Sequence, residues 1–141
     1  MARQLTDDDR KAFGVFADHL IPAYKRMPAA TAVGVHGALL DAVLGFRPDI
    51  AEDFFRGLDA VRGKSPADAA DALFAADQKA FDTLGLVASA AYYMAPEVRD
   101  LVGYPGQESL TYNPHESPDY LTDGMLERVV RRGPIYRPTG G

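Results

Sequence analysis

The sequence predicts an all-α fold, a small bundle of about five to six helices followed by an extended arm rich in proline and tyrosine. Three observations carry that expectation. Apolar residues recur at intervals of three and four in one segment after another. No segment sustains the period-two alternation of β-branched and aromatic residues that a half-buried strand requires. Capping residues, prolines and glycines stand where such helices should start and stop.

The first helix opens at Thr6, an N-cap followed by Asp7, Asp8 and Asp9, where the helix dipole favours negative charge. Its stripe is Phe13, Phe16, Ala17 and Leu20, and it ends at Ile21 because Pro22 disfavours helical geometry before it. Pro22 to Pro28 reads as a connector. A second helix is expected from Thr31 to about Gly45 with Val35, Leu39, Leu40, Val43 and Leu44 inward, although Gly34 and Gly37 weaken its start. Arg47-Pro48-Asp49 begins a third, with Ile50, Phe54, Leu58 and Val61 facing the core and Gly63 as its stop. Ser65-Pro66-Ala67-Asp68 is a start signal for a fourth helix, with a bend expected near Asp77.

From Asp77 to Met94 most of the helix circumference is apolar or small, which places this segment in the middle of the bundle. Gly85, Ala88, Ser89 and Ala91 are expected to admit close neighbours. A short helix, Pro96 to Val102, ends at Gly103. The apolar run Leu84 to Ala95 is well short of the roughly 18 to 20 residues that span a bilayer.

The bundle is assigned to residues 1–102 and the arm to 103–141. These last 39 residues hold 5 of the 10 prolines and 4 of the 7 tyrosines, with one helix-like piece, Gly124 to Arg132. Proline-rich chain loses little entropy when fixed in an extended shape, and tyrosine offers a large contact area with few rotatable bonds. Those are interface properties, and they nominate Tyr104, Tyr112, His115, Tyr120 and Tyr136 as partner contacts. The competing expectation is that the arm packs back on its own bundle.

Charge and composition exclude several functions. A net charge of −5 argues against a nucleic-acid binder, and Arg128, Arg131, Arg132 and Arg137 form the only basic cluster evident in the sequence. With no cysteine, disulfides and thiolate chemistry are absent. His19, His36 and His115 are far apart and match no metal-binding spacing, so no metal site is expected. His19 suits the end of the first helix, and His36 suits a satisfied core position on the second. Ser65 is explained by capping and Ser89 by close packing. The pairs Glu52 with Asp53 and Asp68 with Asp71 read as solvated helix faces. The alternative is a stand-alone small helical enzyme whose site gathers His115 or His36 with scattered carboxylates.

The stretches "LTDDDRKAFGVFADHLIPA", "AAYYMAPEVRDLVGYPGQE" and "RGPIYRPT" together resemble the gluconate 2-dehydrogenase subunit 3 family. The resemblance implies a helical, non-catalytic small subunit without a cofactor of its own. Its partner would be a large flavoprotein of the glucose-methanol-choline type, which carries the FAD and oxidises a sugar or glycoside, for example at a 3-hydroxyl. The partner contacts it implies are Tyr104, Pro105, Gly106 and Gln107, then Ile135, Tyr136, Arg137 and Pro138, while Tyr92, Tyr93 and Met94 suit a core role equally. Many members carry a twin-arginine leader and work with a haem subunit at a membrane. Here a capped helix follows Met1-Ala2 directly, so a cytoplasmic complex is the expectation and a periplasmic one the alternative.

Overall fold

A computed structural model describes residues 3–109 and 123–135. The chain divides into two compact units, Met1–Gly106 and Gln107–Gly141. The first holds six helices: α1 (Asp7–Leu20), α2 (Ala38–Phe46), α3 (Ala51–Val61), α4 (Pro66–Ala76), α5 (Gln78–Met94) and α6 (Pro96–Val102). The second holds α7 (Glu127–Arg132). No strand occurs among the described residues, and the fold is all-α as the sequence predicts.

Helix α5 is the centre of its unit, packing against α1, α2, α3, α4 and α6. Ala80, Leu84, Val87, Ala88 and Ala91 are fully buried on it, so small and large side chains alternate where neighbours cross. The closest crossing is with α3. A Cβ added to Gly57 would lie 3.0 Å from the Ala80 carbonyl oxygen and 3.1 Å from Leu84 Cγ, so any larger residue there would push the two helices apart by a few tenths of an ångström. Gly85 and Ser89 do not serve the close packing expected of them. Nothing lies within 4 Å of a Cβ at Gly85, and Ser89 is exposed. Phe13 meets Phe54 edge-on at 5.3 Å between ring centres, and Phe81 stands against Phe16 and Phe74 in the same manner. Such edge-to-face pairs contribute about 0.5 to 1.5 kcal/mol beyond the area they bury.

The second helix starts later than expected. Thr31–Val33 is a single 3₁₀ turn, Gly34 adopts φ 76°, and α2 begins at Ala38 after Gly37. A left-handed residue cannot continue a right-handed helix, and glycine enters that region without a steric penalty. Val35 is nevertheless fully buried, held in the core by the loop. Pro48–Ile50 forms another 3₁₀ turn that leads into α3. The expected bend at Asp77 is a boundary between two helices, where its carboxylate accepts from the Ala80 amide at 3.1 Å and caps α5. Ser65 precedes α4 but its side chain makes no capping bond, a departure from the sequence expectation. The backbone carbonyl of Ser65 instead accepts from the Ala69 amide at 2.9 Å.

The start of α1 is tied down by charge. Asp9 is 1% exposed and completes a capping box with Thr6: its amide donates to the Thr6 hydroxyl oxygen at 3.2 Å, and its carboxylate accepts from the Thr6 amide at 2.9 Å and hydroxyl at 2.8 Å. Arg3, at 2.8 Å, and Arg62 bind the other carboxylate oxygen, and Arg3 also bridges to Asp59. Burial opposes ionisation of Asp9, but the Thr6 amide and hydroxyl with Arg62 and Arg3 outweigh it and hold the carboxyl at about 2.

Candidate interaction surface

Helix α6 ends in a left-handed glycine, Gly103 at φ 70°. The amides of Gly103 and Tyr104 donate to the carbonyls of Asp100 and Arg99, at 3.1 and 2.9 Å, satisfying two of the last carbonyls of the helix. That closure directs the chain outward. Val98 is fully buried, whereas Val102 and Tyr104 are exposed, Tyr104 to 53%. Pro105 is followed by Gly106 at φ 93°, a left-handed backbone value that glycine adopts without steric penalty. Tyr104 and Pro105 are exposed where the helical unit ends.

In the second unit, Gln107 is exposed, and α7 has no buried residue. Val129 and Val130 on α7, and Met125 and Ile135 on either side of it, are all more than 60% exposed. Arg131 pairs with Glu127 one turn back at 2.9 Å. Tyr112, His115, Tyr120, Tyr136, Arg137 and Pro138 lie outside the described residues.

Tyr92 and Tyr93 separate into two roles. Tyr92 is buried and donates its hydroxyl to the Pro28 carbonyl at 2.7 Å, and burial raises its phenol pKa. Tyr93 is 58% exposed and stands edge-on to Tyr92 at 5.6 Å. The connector that Tyr92 anchors is also more ordered than the sequence implied. Tyr24 and Met27 exchange two backbone hydrogen bonds, at 3.0 and 2.9 Å, around a tight turn. Lys25 takes φ 52° at its tip, and Tyr24, Lys25 and Arg26 are exposed.

Of the residues named for a catalytic alternative, His36 and the paired carboxylates are described, and His115 lies outside the described residues. No group of three metal-ligating side chains occurs among the described residues. His19 is exposed in the last turn of α1. His36 lies in the loop before α2 rather than on a helix, and its Nδ1 is buried with no hydrogen-bond partner among the described residues, so it is not the satisfied core histidine expected. Asp68 and Asp71 are exposed as expected, but Asp53 is buried. Lys79, at 2.8 Å, and Arg56, at 2.7 Å, hold Asp53 below the usual carboxylate range. Buried carboxylates kept ionised by cations are the reverse of the raised pKa that a general acid needs.

Among the described residues no helix is long and apolar enough to cross a membrane. The chain matches no protein-family model, no curated protein and no solved structure.

Proposed function

We propose that the chain is the non-catalytic small subunit of a two-component FAD-dependent sugar or glycoside oxidoreductase, binding and stabilising the catalytic flavoprotein. The observation that carries this reading is the uncovered apolar surface of the second unit, Met125, Val129, Val130 and Ile135, which needs a partner to cover it. The exposure of Tyr104 next to Pro105 supports it, because an exposed tyrosine beside a rigid proline loses little entropy on docking. The family resemblance supplies the partner's chemistry: FAD and the reacting groups reside in the large chain, with electrons passing to a cytochrome subunit or another acceptor. The proposed location is the cytoplasm, with the periplasm as the site of an exported version.

Co-expression with a large flavoprotein of the glucose-methanol-choline type tests the reading. The expected result is co-purification of the two chains, with sugar oxidation dependent on both. Full oxidation by the large chain alone, with no co-purification, overturns it.

A further inference from the structure

One cleft in the helical unit combines an apolar lining with cations and no acidic side chain. It opens between α1 and the loop joining α3 to α4, encloses about 230 Å³, and is lined by the apolar residues Val15, Phe16 and Val61 and by three cations, Lys11, Arg62 and Lys64. No acidic side chain lines it, although the chain carries a net charge of −5. Val15 is 58% exposed and points away from the core-facing stripe of α1. Lys64 makes no ion pair among the described residues, and Lys11 reaches only Asp8, at 3.8 Å between two exposed side chains. Such a contact contributes little, so both ammonium groups are available. Arg62 is paired with the buried Asp9 carboxylate and lies 3.6 Å from Asp59, so its charge is compensated and the cations the cleft offers are Lys11 and Lys64.

We propose that this cleft is a docking site for an acidic protein segment that inserts one large apolar side chain between Lys11 and Lys64. The volume favours a side chain over a metabolite, because small-molecule sites enclose roughly 300 to 1,000 Å³. Lys11 comes from α1 and Lys64 from the loop after α3, so both elements that line the cleft contribute a cation. An extended segment with carboxylates flanking a Phe or Leu matches that arrangement, and the charge complementarity adds both association rate and selectivity. The proposal stands apart from the reading of the chain as a flavoprotein subunit, and its test contains no flavoprotein.

The probe is a fluorescein-labelled peptide, Gly-Glu-Asp-Phe-Glu-Asp-Gly, titrated with the full chain by fluorescence polarisation. Saturable binding is expected, weakened at least about tenfold when Ala replaces the Phe of the peptide or amides replace its acids. Val15→Glu and Lys64→Glu, both at exposed positions, should each weaken binding by a similar factor, while Lys25→Glu, outside the cleft, should leave it unchanged. Binding should also fall as salt rises from about 50 to about 300 mM. No saturation, equal binding of the Ala peptide, or indifference to Lys64→Glu overturns the proposal. A concentration-dependent dimer in sedimentation that Val15→Glu disrupts also overturns it, by assigning the cleft to a second copy of the chain.

Discussion

The hydroxyl of Tyr92 donates to the backbone carbonyl of Pro28 at 2.7 Å, tying the centre of the bundle to the connector after α1 across 64 positions of sequence. Tyr92→Phe removes the donor and leaves the carbonyl unsatisfied. The expected cost is about 1 to 3 kcal/mol, read as a lower midpoint in urea with an unchanged slope. The edge-on contact with Tyr93 survives in that variant, so a loss larger than this range points to a wider role for the connector.

Asp9 makes stability depend on acid. Its folded pKa is about 2, against an ordinary value of 3.8. A carboxyl depressed on folding contributes stability that is fully present above its unfolded pKa and is lost as pH falls through the folded one. The difference corresponds to about 2 kcal/mol at neutral pH. Comparing urea midpoints of the natural chain and Asp9→Asn, the gap should be constant above about pH 5 and close progressively between about pH 4 and 2. A gap that persists unchanged at pH 2 would show that charge at Asp9 is not what holds the start of α1.

Two glycines in helices should respond in opposite directions. Gly57→Ala drives a methyl into the Ala80 carbonyl and Leu84, and a cost of about 1 to 3 kcal/mol is expected. Gly85→Ala meets nothing within 4 Å in the interior of α5 and should stabilise by about 0.5 to 1 kcal/mol. Thermal melts of the two variants beside the natural chain decide the matter.

Removing residues 107–141 should leave the far-UV helical signal and the urea midpoint of the bundle nearly unchanged while abolishing co-purification with the flavoprotein. Tyr104→Ala is the finer test. A half-exposed side chain away from the core changes stability by within about 0.5 kcal/mol, so a fall in partner affinity without a shift in melting separates binding from folding. Retained co-purification after the truncation would move the contact onto the helices.

Most of the bundle was legible in the sequence because its signals are local. Thr6, Pro66, Pro96 and Gly103 mark helix ends through backbone geometry that neighbouring residues determine, and Ile50, Phe54, Leu58 and Val61 are all buried as expected. The late start of α2 was partly visible in Gly34 and Gly37, but only the φ of Gly34 shows that the helix is broken there. The burial of Asp9 and Asp53 was hidden, because the cations that make it tolerable, Arg62 and Lys79, come from other elements. The same is true of the cleft. Lys11 and Lys64 are 53 positions apart in sequence, and nothing in the local pattern of either brings them to one opening.

Val98 is the last residue in chain order that the described structure buries completely, and roughly forty residues follow it. The core therefore closes without any described residue beyond Val98, and Val102 and Tyr104 are already exposed. Stability is set upstream of that point, and the exposed positions after it are free to change with little cost to the core.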